Sequence, residues 1–211
     1  MTSAAKMITV EGIEGVGKST QMQYIADYLQ AHHISFITTR EPGGTPLAED
    51  IRHLVLQQRD EPVATDTELL LLFASRAQHL AQVIFPALAR GDWVICDRFI
   101  DATYAYQGGG RKVDLAKIKL LENLVLENFS PHLTLLLDAP VELALARAKA
   151  RSTASDRFED EKVDFFTAVR QVYLARAQAE PQRIKMIDAS QPLTVVQESM
   201  GKILKDFVVQ K

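Results

Sequence analysis

Cysteine is almost missing from this sequence, with Cys96 as the single one. A lone thiol excludes an internal disulfide and a cysteine-built zinc site. Its place inside an apolar strand reads as core rather than nucleophile. Concentrated positive charge is missing too: net charge is −3 and no basic run exceeds two residues. That argues against general nucleic-acid binding, which needs many cations facing the phosphate backbone. No apolar run approaches the ~20 residues of a bilayer span. The first residues, MTSAAKM, are too few and too polar for a signal peptide. The five histidines lie apart except His32 and His33, so no metal cluster is visible. There is no internal repeat and no low-complexity tract. Apolar residues are plentiful, at 47% of 211. That supports one domain with a sizeable core, in a cytoplasmic protein.

The stretch Gly12-Ile13-Glu14-Gly15-Val16-Gly17-Lys18-Ser19 matches the phosphate-binding loop pattern, GxxxxGK followed by Ser or Thr, at every fixed position. Its context fits, because Lys6 to Glu11 reads as a buried strand and Ser19 to Gln30 as a helix. Glycines let the backbone wrap an anion with its N–H groups pointing inward. The helix adds the positive end of its dipole. Lys18 is expected to reach the β- and γ-phosphates, and the Ser19 hydroxyl to bind Mg²⁺. The loop specifies a nucleoside triphosphate but not its use.

Further along, Ile34 to Thr39 predicts a second strand, parallel to the first through a right-handed crossover. At its end stands Arg40-Glu41-Pro42-Gly43-Gly44-Thr45, a sharp loop at the strand end where ligands gather in such sheets. On these residues alone, a solvated turn and a ligand loop fit equally. Leu47 to Leu56 predicts a helix carrying Arg52. Thr65-Asp66-Thr67-Glu68 resembles a capping box before a long helix to about Arg90, with Pro86 kinking its last part. That helix contains LLLLFASR. Arg76, at the end of this apolar run, wants an anion or snorkels to the surface. Trp93 to Cys96 is a third strand ending in Asp97-Arg98. An acid there is the usual second Mg²⁺ partner in P-loop enzymes, and Arg98 suits a phosphate. Phe99 to Gly110 carries Thr103, Tyr106 and Gln107 before three glycines, a weak signal for reading a base or sugar. Strands Leu133 to Leu137 and Ile184 to Ile187 follow, with helices at Asp114 to Asn128, Pro140 to Lys149, Glu161 to Ala179 and Leu193 to Val209. Residues 147–157 hold Arg147, Lys149, Arg151 and Arg157 among small polar residues. They suggest a lid over about 147–160 that brings positive charge to the γ-phosphate.

In order, GIEGVGKS, TREPGGT, the helix ending in Arg76, CDRF, TYAYQGGG and a basic lid resemble the bacterial thymidylate kinase (dTMP kinase) family. The resemblance spans nearly the whole chain. It implies a three-layer α/β/α P-loop NTPase fold with a five-stranded parallel sheet, a lid, homodimers, ATP as donor and dTMP as acceptor. It implies that Glu14 and Glu41 approach the acceptor or its metal. It also implies that Arg76 hydrogen-bonds thymine, helped by Thr103 and Gln107, beside Pro42. Tyr106 lies near the sugar 2′ carbon, Arg98 with Arg40 and Arg52 holds the 5′-phosphate, and Asp97 supports Mg²⁺. Two departures stand out. Some members carry an arginine where this chain has Gly15, so the catalytic cation is expected from the lid, Arg151 first, then Arg147 and Arg157. Many members stack an aromatic four residues before the base-binding Arg. Here that position is Leu72, with Phe73 next to it, and either residue packs on the base. A switch GTPase is the rival from another class, but its NKxD motif is absent. A kinase of another monophosphate and a dead nucleotide-binding module are the remaining rivals, the second opposed by intact Lys18, Ser19, Asp97 and Arg98.

Overall fold

The computed structural model describes residues 5–150, 158 and 161–209. Strand β1 (Met7–Glu11) is buried along its whole length. It pairs in parallel with β3 (Trp93–Asp97) on one side and β4 (Leu133–Asp138) on the other. Strands β2 (Phe36–Arg40) and β5 (Ile184–Asp188) complete a five-stranded parallel sheet in the order β2-β3-β1-β4-β5. Side-chain alternation explains the layers. Ile8, Val10, Trp93 and Ile95 join one apolar cluster with Ile25 and Leu29 of α1 (Lys18–Ala31) and Val196, Met200 and Leu204 of α9 (Leu193–Val209). Met7, Val94 and Cys96 face the other way, against Leu69 and Phe73 of α3 (Thr65–His79) and Ile118 of α6 (Leu115–Leu126). The expected α/β/α architecture is therefore observed.

Helix α3 continues through a π-helical turn, Leu80–Ile84, into α4 (Phe85–Arg90). This continuous stretch, 65–90, is long and apolar enough to span a membrane, although the sequence has no unbroken apolar run of that length. In the fold one face of it, with Leu69, Phe73, Leu80, Ile84 and Ala87, packs into the core. Its polar residues Glu68, Ser75, Arg76 and His79 are buried and find partners inside the protein. The anticipated capping box is not formed. The N-cap is Ala64 without a side-chain bond, because Glu68 turns inward to accept from Gln107 Nε2 at 2.9 Å.

The stretch after β3 is helical: α5 (Ile100–Thr103) runs into a second π-helical segment, Tyr104–Gly110. Its glycines serve packing. A Cβ on Gly109 would lie 2.9 Å from the Ala168 carbonyl of α8 (Val163–Ala179), and one on Gly110 would strike the Phe165 ring. Their absence lets α8 lie close against the segment that carries Tyr106 and Gln107. Helix α2 (Pro46–Leu56) is capped by Thr45, whose hydroxyl accepts from the Ala48 N–H at 3.1 Å. Helix α7 (Val141–Lys149) packs on the loop after β1.

Candidate active site

All five parallel strands end on one side of the sheet in polar residues: Glu11, Arg40, Asp97, Asp138 and Asp188. The loop between β1 and α1 turns at Gly12, Gly15 and Gly17, all with positive φ. Gly15 has a second constraint. A Cβ there would overlap the Ala144 carbonyl of α7, so α7 occupies the space that an arginine side chain at this position would need. Lys18 Nζ folds into the loop, donating to the carbonyls of Gly12 and Ile13 at 3.2 and 3.0 Å. Burial pushes its ammonium down to about 8. Arg98 pushes in the same direction, while Asp97, Glu14 and Glu11 pull it back up.

Beside the loop lies a cleft that is partly open to solvent. Glu14, Glu41, Pro42, Arg52, Leu72, Arg76, Arg98, Thr103, Tyr106 and Gln107 all line it. At one end Arg76 is almost fully buried. Its Nε donates to Glu41 Oε2 at 2.7 Å and its Nη2 to Thr103 Oγ1 at 2.9 Å. Its Nη1 is buried and makes no hydrogen bond among the described residues. Glu41 is held in turn by His79 Nδ1 at 3.1 Å, and His79 Nε2 meets the Thr39 hydroxyl at 2.7 Å. At the other end Arg98 donates from Nη2 to Glu14 Oε1 at 2.6 Å and to the Tyr106 hydroxyl at 3.0 Å. Tyr106 donates to the second Glu14 oxygen at 2.6 Å. Arg98 and Lys18 lead the groups that hold the Glu14 carboxyl below its usual range despite burial.

The structure departs from the sequence expectations at three places. Arg40 does not line this cleft: it is more than half exposed and pairs with Glu49 at 2.9 Å, bordering a separate groove. Phe73 is 2% exposed inside the second apolar cluster, whereas Leu72 forms cleft wall. Neighbouring helical positions differ by about 100° in direction, so only one of them can face the cleft. Arg147 belongs to α7, not to a lid, and donates to the Ala189 carbonyl at 2.7 Å. Arg151 and Arg157 lie outside the described residues.

Sequence reasoning missed several residues of this site. Phe158 lines the cleft and meets the Tyr106 ring edge-on at 5.9 Å between centroids. Arg111 sits over Phe158 and Phe165 and pairs with Glu161. His79 could have been found from its position three residues after Arg76, on the same helix face. Nothing local marked Phe158 or Arg111.

A divalent cation has a fitting place beside the loop. Asp97 Oδ1 is buried without a hydrogen-bond partner among the described residues, and Asp97 and Ser19 border one groove. A carboxylate and a hydroxyl are hard oxygen donors, and Mg²⁺ needs only one or two such protein ligands when phosphates and water supply the rest.

Known proteins resemble this chain along nearly its whole length. The family model described as thymidylate kinase matches residues 10–200. A thymidylate kinase of Pseudomonas putida is 58% identical over 197 residues, covering 93% of each chain. One of Teredinibacter turnerae is 54% identical over 203 residues, covering 96% of this chain and 98% of its own. The crystal structure of thymidylate kinase from Ehrlichia chaffeensis superposes with a TM-score of 0.77 at 32% identity, over 96% of this chain and 99% of that one. A phosphate loop, a cleft beside it with an arginine at each end, and sequence identity above one half along nearly the whole length place this chain in the thymidylate kinase family.

Proposed function

We propose that the cleft binds dTMP end-on to ATP held by the phosphate loop, and that the chain transfers the γ-phosphoryl group to the dTMP 5′-phosphate, giving dTDP and ADP. The observation that carries this reading is Arg76 Nη1, a buried donor without a partner on a residue lining the cleft. A buried unpaired donor is costly, and a thymine carbonyl relieves the cost. Thr103 and Gln107 bound the same end, and Leu72 packs against the base. Tyr106 sits between base and phosphate, where its ring disfavours a ribose 2′-hydroxyl.

The acceptor is already an anion, so no strong general base is required. The task is to align two polyanions and neutralise them. Lys18 reaches the β- and γ-phosphates, and Arg98, with Arg52, holds the acceptor phosphate. Glu14 pairs with Arg98 at 2.6 Å, so an acceptor phosphate competes with Glu14 for one guanidinium. Ser19 and Asp97 hold Mg²⁺, which when bound neutralises charge on the donor phosphates. Gly15 brings no cation to the loop, which supports a lid arginine at the transition state, Arg151 first. The helical position of Arg147 weighs against that residue. Exposed Leu70, Leu120 and Leu124, on the adjoining helices α3 and α6, support a homodimer through that face. The nucleotide chemistry and the lone buried thiol suit the cytoplasm.

Initial rates of ADP release with dTMP, dUMP, dGMP and AMP test the base assignment. The thymine methyl is worth about 1–3 kcal/mol, so dUMP is expected to be a poor but real substrate and the purines to fail. Equal turnover of AMP would reject the assignment. Replacing Arg151 by Ala is expected to lower kcat by at least ~100-fold while ATP binding is kept. Unchanged turnover would place the transition-state cation elsewhere.

A further inference from the structure

Glu11 is fully buried at the carboxyl end of β1, and neither phosphate binding nor base reading uses it. Its two oxygens bond two neighbours of Arg98, the Phe99 backbone and the Tyr173 hydroxyl. Oε1 accepts the Phe99 backbone N–H at 2.7 Å. Oε2 accepts the Tyr173 hydroxyl at 2.8 Å, and that hydroxyl accepts from Arg98 Nη1 at 3.3 Å. The first contact bears on the backbone. Arg98 has φ +67°, a conformation that L side chains rarely adopt, and a bond to the very next N–H holds the chain in it. The Arg98 N–H completes the clamp by donating to the Val10 carbonyl at 3.0 Å. The second contact bears on the side chain, since Tyr173 on α8, with the Gly12 carbonyl, accepts from Arg98 Nη1, while Glu14 and Tyr106 take Nη2.

We infer that Glu11, acting with Tyr173, is a positioning residue that sets the backbone turn and the guanidinium direction of Arg98, and thereby the affinity for the acceptor phosphate. The inference rests on the reading of Arg98 as the acceptor-phosphate ligand. Hydrogen-bond geometry rather than charge does the work, because an amide in place of the carboxyl can accept from Phe99 and donate to the Tyr173 oxygen. Glu11 is therefore distinct from Glu14, which touches Arg98 directly and stands where phosphate arrives.

Calorimetric binding of dTMP and of ADP to the full chain tests this. Glu11→Met keeps the volume and removes both acceptors. It is expected to weaken dTMP binding about tenfold or more, the size of a lost bond to a charged group, with ADP binding unchanged. Glu11→Gln is expected to restore most of the loss, and Tyr173→Phe to show a smaller loss of the same kind. Tyr173→Phe also serves alone should Glu11→Met not fold. In an Arg98→Ala background, Glu11→Met and Tyr173→Phe are expected to add nothing, since their effect passes through Arg98. Wild-type dTMP affinity in both variants, or losses that simply add to that of Arg98→Ala, would overturn the inference. Should Arg98→Ala itself leave dTMP binding intact, the reading of the acceptor site fails, and this inference with it.

Discussion

Leu72 and Phe73 show what a single position decides. Both are apolar, adjacent and near Arg76, and the sequence could only offer them as alternatives. The fold separates them: Leu72 lines the cleft, and Phe73 is sealed against Leu69, Leu80 and Phe99. The two therefore predict opposite phenotypes. Leu72→Ala is expected to raise KM for dTMP several-fold while thermal stability changes little, because it removes contact area from the pocket. Phe73→Ala is expected to cost about 3–5 kcal/mol of stability through the cavity it leaves, with KM nearly kept in the molecules that fold. Thermal melts and dTMP saturation curves on the two variants check this, and the reverse pattern would mean the helix is rotated from its described face.

At the scale of elements, the phosphate loop is built jointly by β1, α1 and α7. Strand β1 supplies the entry, and Gly17, at φ +93°, caps the first turn of α1. Helix α7 closes the outer side by laying its Ala144 carbonyl over Gly15. The absence of an arginine at position 15 is thus matched by helix placement. Gly15→Ala is expected to lower both the melting temperature and the ATP affinity, since φ +81° disfavours any Cβ and the space is filled. A variant with wild-type ATP affinity and melting temperature would show that α7 yields without cost. The segment Tyr104–Gly110 makes a related point. Three glycines in a row argue against a helix on propensity alone, yet the segment is helical. Contact with α8 overrode propensity.

At the scale of the whole molecule, buried charge is organised around Glu11 and Asp101. Asp101 takes bonds from Arg176 and Arg183, and these arginines hold its carboxyl low against burial. Glu11 goes the other way. Burial first, then the Asp101 charge, push its carboxyl up to about 8, against the pull of Arg98, Tyr173 and the Phe99 N–H. A raised value means that the fold favours the protonated acid. Its stabilising contribution is complete below the unfolded value of 4.5 and is lost as pH rises through about 8. Glu11→Gln does not titrate. The melting temperature of wild type relative to Glu11→Gln is therefore expected to fall as pH goes from about 5 to about 8.5. A difference that stays flat or rises over that range would contradict the direction of the shift.

How much was legible in advance follows from the range of the interactions involved. The phosphate loop, the order of strands and helices, Arg76, Arg98, Asp97 and the family resemblance were all readable, because glycine spacing, side-chain periodicity and strand-end polarity are local rules written in consecutive residues. Tertiary structure alone decided that Leu72 rather than Phe73 faces the cleft, that Arg40 turns to Glu49, that Arg147 reaches the Ala189 carbonyl, and that Phe158 joins the wall. It alone brought Tyr173 to Glu11 across 162 positions of chain. The reason is physical: which side chain meets a ligand depends on helix rotation and on contacts between segments far apart in sequence, and no run of neighbouring residues encodes either.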